Sequence, residues 1–173
     1  IPPTPTPERM ALTSPAFGSG ELIPHKYAYD YENLSPPLEW GDPPEGTQSF
    51  ALILYSDPVM DGGGNWVHWV LYNLPPEARA LPEGVTPDED GSLPDGSLHF
   101  KNSWQERKYG GPNPPHIYTY KYYFHIFALD TSLDLDEVEK AMIEDGTLPW
   151  IGPSKDVLMR AMEGHILAEG TIV

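Results

Sequence analysis

The residues with chemical potential in this 173-residue chain gather in two stretches. In the first, Asp57 follows the apolar run at 50–55, and Trp66 and His68 open a second run at 66–74. Between the runs lies Asp61-Gly62-Gly63-Gly64-Asn65, which can turn tightly and leave backbone amides exposed. An imidazole near a loop mouth, beside an indole, can act as a charge, a hydrogen-bond donor or a general base. A carboxylate such as Asp57 can hold its tautomer or raise its pKa. The second stretch is Tyr109-Gly110-Gly111-Pro112-Asn113-Pro114-Pro115-His116 with the aromatic run at 120–129 behind it.

Side chains alternate along a strand, which would put Trp66, His68, Val70 and Tyr72 on one face of theirs and Tyr120, Tyr122 and Phe124 on one face of theirs. If the two strands are neighbours, these faces make an aromatic-walled cup containing His68, Asp57 and tyrosine hydroxyls. Its rim would be the amides of Gly110 and Gly111, open to close approach because no Cβ intervenes. Protonated imidazole, phenols and free amides together suit a small anion, a phosphate monoester or a carboxylate. Each signal also has a plainer reading: a histidine among tryptophans as a hydrogen-bonded core residue, Asp57-Pro58 as a turn opener, the tyrosine run as packing.

Composition removes several other functions. Ten Lys and Arg against 26 Asp and Glu give a net charge of −16, which disfavours phosphate-backbone or anionic-bilayer partners. There is no cysteine, so disulfides, thiol catalysis and cysteine-held metals are excluded together. The six histidines include no HExxH pattern, and no metal or cofactor is expected. No glycine-flanked serine elbow, phosphate-binding loop or dinucleotide fingerprint occurs. Acidic residues abound, but nothing singles out a glycosidase pair.

The elements that must position these residues are strands. Twenty-one prolines and 16 glycines argue for many turns and against a helix bundle. Strands are expected at 11–17, 21–26, 50–55, 66–74, 99–104, 120–129 and 166–173, with a surface excursion at 75–96. Two late helices are expected. The first is capped by Asp134 or Asp136, turns Leu135, Val138 and Met142 inward, and closes at Gly146. The second starts at Ser154, turns Val157, Leu158, Ala161 and Met162 inward, and stops at Gly164. This predicts a mainly β protein, an antiparallel sandwich with helices appended at one end. A Pro/Thr-rich spacer over 1–10 precedes a single domain over 11–173; the spacer leans toward a secreted or surface-tethered chain after processing, with a cytoplasmic tail as the alternative.

Several motifs in order extend the reading: Ser35-Pro36-Pro37-Leu38-Glu39-Trp40, Asp57-Pro58, Trp66-Val67-His68-Trp69, Tyr72-Asn73, Tyr109-Gly110-Gly111-Pro112-Asn113-Pro114-Pro115, and Ala161-Met162-Glu163-Gly164-His165-Ile166-Leu167-Ala168-Glu169. The chain resembles the phosphatidylethanolamine-binding protein family, also called Raf kinase inhibitor proteins, in its bacterial and archaeal branch. The resemblance runs from about residue 11 to residue 173. It implies a β-sandwich with a small-anion pocket at one end and no established catalysis. It also implies pocket residues Asp57, Trp66, His68, Tyr109, Gly110, Gly111, Pro112, Pro114 and Tyr122. Two departures stand out. The family's Asp-Pro-Asp-Ala-Pro is Asp57-Pro58-Val59-Met60-Asp61 here, and its His-Arg-Tyr is Tyr120-Lys121-Tyr122. Tyr120 can donate a hydrogen bond but no charge near neutral pH, and His116 is the candidate substitute. A pocket with one histidine should hold a dianion less tightly and favour a monoanion or a neutral polar ligand.

These residues lead to a non-catalytic binding protein with a small-anion pocket and, as a further expectation, regulation of a partner protein. The alternatives are a protease or kinase inhibitor working through surface loops such as 75–96, and a small-ester hydrolase in which Asp57 orients His68 as general base.

Overall fold

A computed structural model describes residues 6–58, 65–113, 120–148 and 154–173. Among these residues nine strands form two sheets. The larger is ordered β1 (Glu8–Arg9), β9 (Ile166–Ile172), β8 (Tyr122–Leu129), β4 (Ser49–Pro58), β5 (Asn65–Leu74) and β7 (Leu98–Phe100). The smaller is ordered β2 (Leu12–Thr13), β3 (Leu38–Trp40) and β6 (Ala80–Leu81). All pairings are antiparallel except the edge pair β1–β9.

Burial explains the layering. Leu12, Leu38, Trp40 and Leu81 of the small sheet face Phe50, Leu52, Leu54, Trp69, Leu71, Phe124 and Ile126 of the large one, making the sandwich core. Removing a side chain of Phe50 or Leu52 size from water stabilises the fold by roughly 1.5–3 kcal/mol. The opposite face of the large sheet presents Ala51, Ile53, Val67, Val70, Tyr72 and Phe127, and the two helices cover it with Leu135, Met142, Val157, Leu158 and Met162. The helices therefore lie on a face of the sandwich and not at its end. β4 and β5 are apolar on both faces because both are covered.

The helix ends follow the sequence closely. Helix α1 (Leu135–Glu144) is capped by Asp134, whose side chain accepts from the Glu137 amide at 3.2 Å. Gly146 follows it at φ +80°, and Gly164 follows α2 (Ser154–Met162) at φ +80°. The approach to α1 is clamped by Asn73, which donates to the Leu133 carbonyl and accepts from its amide, both at 2.8 Å.

The short strands differ from expectation. Only Leu12–Thr13 of 11–17 pairs, and 21–26 is no strand: residues His25–Tyr27 form a 3₁₀ turn. The 99–104 strand is Leu98–Phe100, and the segment after it is a loop. Pro15 and Pro24 have no amide to place in a ladder, which limits both early runs. The excursion at 75–96 is partly structured, since Ala80–Leu81 closes the small sheet against β3.

Candidate functional site

Strict alternation along β5 does not hold at the residue that matters. Leu54 of β4 pairs with Trp69 of β5, but Tyr55 pairs with Val67, so one step on β4 spans two on β5. His68 is the extra residue of a β-bulge, and the phase of side chains changes there. Trp69 and Leu71 enter the sandwich core, while Val67, Val70 and Tyr72 face the helices. His68 turns to the same side as Trp69. The expected single face of Trp66, His68, Val70 and Tyr72 is thereby broken in two.

β5 and β8 are not adjacent; they flank β4. Tyr122 pairs with Ser56 of β4, and its ring stands edge-on to the His68 ring at 5.4 Å between centroids. Ser56, the β4 residue paired with Tyr122, is buried.

A loop supplies the next wall. The Asn102 side chain, 1% exposed, accepts from the Trp104 and Glu106 amides at 3.0 Å each and donates to the Lys108 carbonyl at 2.9 Å. Ser103 then staples this loop to β5: its amide donates to the Val67 carbonyl and its Oγ accepts from the Val67 amide, both at 2.8 Å. So held, the Trp104 indole sits 5.4 Å from His68, edge-on to Trp66 at 5.4 Å and stacked on Tyr29 at 4.8 Å. Trp66 is 36% exposed and stands at the rim.

The glycine-proline loop closes against the histidine. The His68 carbonyl accepts from the Gly110 amide at 2.9 Å, and the Gly111 amide donates to Asn33 Oδ1 at 2.7 Å. Both amides expected to face a ligand are therefore already engaged. The loop's carbonyls meet the ring: Gly110 O and Gly111 O lie 2.9 and 3.1 Å from His68 Nδ1. Glycine is needed for packing here. A Cβ on Gly110 would lie 2.5 Å from Trp104 Cζ3, and one on Gly111 would lie 2.0 Å from the Tyr27 carbonyl oxygen. Pro112 accepts from the Tyr29 amide at 3.0 Å, and the buried Tyr109 hydroxyl donates to the Tyr27 carbonyl at 2.9 Å.

A carbonyl oxygen only accepts, so Nδ1 carries the proton and a neutral His68 has its lone pair at Nε2. The ring is 3% exposed. Burial lowers its pKa from 6.5 to about 4, against the smaller opposing effect of the two carbonyl bonds. Near neutral pH this is an uncharged imidazole, not the cation expected from the sequence. Burial pushes the Tyr122 phenol up to about 12, with a further push from Tyr120, so it stays a hydrogen-bond donor.

This sandwich, with a buried histidine at a bulge beside the Gly110–Gly111 loop, has clear relatives. The family model for phosphatidylethanolamine-binding protein matches residues 13–173. The chain belongs to the phosphatidylethanolamine-binding protein family. It is 40% identical over 164 residues to a UPF0098 protein of Methanothermobacter thermautotrophicus, covering 95% of this chain and 96% of that one. It is 38% identical over 138 residues to the UPF0098 protein YbhB of Escherichia coli, covering 74% and 84%. Among solved structures it is similar to a phosphatidylethanolamine-binding protein homologue of Chlamydia trachomatis, with TM-score 0.73, 32% identity and 95% of each chain covered. E. coli YbcL, described as a member of the mammalian PEBP family, also superposes with TM-score 0.73, at 26% identity and 95% of each chain.

In this family member Asp57 does not reach His68 through any described hydrogen bond. Its carboxylate accepts from the Tyr123 hydroxyl at 3.0 Å and the Lys121 amide at 3.2 Å, on the side where Tyr123 stacks on Tyr55. Its role as holder of the imidazole tautomer passes to the Gly110 and Gly111 carbonyls. Tyr120 is half-buried and acts electrostatically on Tyr122. Pro114 and His116 lie outside the described residues. Trp104, Tyr29, Asn33, Asn102 and Ser56 complete the site and were not singled out by sequence. Only Asn102-Ser103 carried a local signal, as a side-chain-to-backbone turn pair.

Proposed function

We propose that this protein is a non-catalytic binding protein whose pocket around His68 takes a small oxyacid of the phosphate-ester or carboxylate class. The observation that carries the reading is the buried imidazole, fixed through Nδ1 by Gly110 and Gly111, with Trp104 and Tyr122 edge-on to it and Trp66 packed on Trp104. With Nδ1 committed to the two carbonyls, Nε2 is the ring's remaining polar atom and an acceptor suited to a ligand's donor. The Tyr122 phenol adds a donor at the same wall. Binding is favoured over hydrolysis because Asp57 is engaged by Tyr123 and Lys121, so the carboxylate–imidazole pair of a general base is not assembled among the described residues. Regulation of a partner protein would then be a consequence of an occupied or empty pocket.

Calorimetric and proton-NMR titration with phosphate, phosphoethanolamine and acetate tests this, using wild type, His68→Ala and His68→Gln. Saturable binding of at least one compound, lost in both variants while their thermal unfolding stays cooperative, is the expected outcome. Equal binding by folded variants, or none by wild type, would reject the pocket.

A further inference from the structure

We infer that the pocket selects its ligand by the proton the ligand carries: the group held at His68 Nε2 must be a protonated oxyacid, such as hydrogen phosphate or a phosphate monoester monoanion. This deepens the reading above and rests on it. The geometry is one-sided. Two carbonyls converge on Nδ1 at 2.9 and 3.1 Å and can only accept, so the single ring proton of a neutral imidazole is committed to them. Nε2 is then an acceptor. A fully deprotonated oxygen placed there would set lone pair against lone pair. A P–O–H group would complete the bond.

The surroundings do not favour the alternative, in which the ring charges to meet an anion. Among the described residues, the groups recorded against the ring are Trp104 from the loop after β7, Tyr122 from β8, and Gly110 and Gly111 from the loop before β8. Of these only Tyr122 titrates, and it is neutral at physiological pH. No carboxylate among the described groups acts on the ring to stabilise an imidazolium, and burial opposes one. The specificity is that of a buried acceptor: a ligand lacking the matching donor leaves it unpaired, which discriminates more strongly than a missing methylene does.

Four small probes separate the possibilities: inorganic phosphate, methyl phosphate, dimethyl phosphate and sulfate, titrated calorimetrically into wild-type protein at about pH 5.5 and about pH 8. The diester and sulfate are anions with no proton to share, and the diester stands for a lipid headgroup where methyl phosphate stands for a soluble monoester. Inorganic phosphate keeps a proton at both pH values and should bind at both. Methyl phosphate should weaken more than tenfold at the higher pH, following its own second ionisation near about 6. Sulfate and dimethyl phosphate should bind at least tenfold more weakly than phosphate at the lower pH. Nitrogen-15 NMR of the free protein at pH 7 should give the Nδ1–H tautomer of His68.

Sulfate binding as tightly as phosphate, with about one proton taken up per site in buffers of different ionisation enthalpy, would overturn the inference and leave the pocket standing. An Nε2–H tautomer in the free protein would overturn it as well. Failure of all four probes would reject the inference, and acetate binding lost in His68→Ala would then leave the pocket standing.

Discussion

His68 joins stability to pH with a definite sign. Its folded pKa, about 4, lies below the ordinary 6.5, so between those values the unfolded chain binds the extra proton. The stabilisation is therefore full above about pH 6.5 and is lost as pH falls toward 4. A depression of that size corresponds to roughly 3 kcal/mol. Burial also lowers the pKa of His99 and of His125, which act in the same direction. Comparison of variants isolates His68: the stability difference between wild type and His68→Gln, from urea unfolding, should shrink by about 2–3 kcal/mol from pH 7 to pH 4.5. A difference independent of pH would mean that the ring is not buried neutral.

Among the elements, the bulge in β5 and the loop after β7 do the positioning, and they are coupled through Ser103 and Val67. A bulge adds one residue to a strand and turns its neighbours over, which is how a histidine enters the sandwich side without breaking the ladder. The loop depends on one buried amide side chain. Asn102→Ala would leave the Trp104 and Glu106 amides and the Lys108 carbonyl without that partner. The expected loss is about 2–3 kcal/mol in urea unfolding. Phosphate binding should weaken too, because Trp104 would lose its anchored position beside His68. A variant as stable as wild type would show that the loop is held chiefly by the Tyr29–Trp104 stack.

For the molecule as a whole, a net charge of −16 on 173 residues makes long-range repulsion a destabilising influence. Several ion pairs, such as Arg79–Asp42 and Lys26–Glu83, are well exposed and offset little of it. Raising NaCl from about 10 to about 150 mM shortens the screening length to roughly 8 Å, so the unfolding midpoint should rise by a few degrees. A midpoint that falls with salt would show that the exposed pairs outweigh the repulsion. The same surface gives no electrostatic reason for docking on an anionic bilayer. No helix among the described residues is long and apolar enough to cross a membrane.

Composition and local pattern alone determined the mainly β class, the strands around 50–55 and 66–74, and the two late helices with a cap at Asp134 or Asp136 and the glycine stops. Those features rest on contacts within a few residues, on apolar periodicity and on φ preferences, all written locally. The ordered motifs determined the family for the same reason that they are long and specific. Sequence also pointed to Trp66, His68, Tyr122, Gly110 and Gly111 as pocket residues, and the fold sets the His68 ring against Tyr122 and the Gly110 and Gly111 carbonyls. The tertiary structure decided their roles. Whether His68 faces Val70 or Trp69 depends on a bulge opposite Tyr55, and a bulge is a property of two paired strands. Whether the Gly110 and Gly111 amides are free depends on Asn33 and on the His68 carbonyl, 78 and 42 residues away in the chain. The pKa of the imidazole is lowered by burial in the folded chain. Desolvation is a sum over everything packed around a group, and no spacing of residues along a chain encodes it.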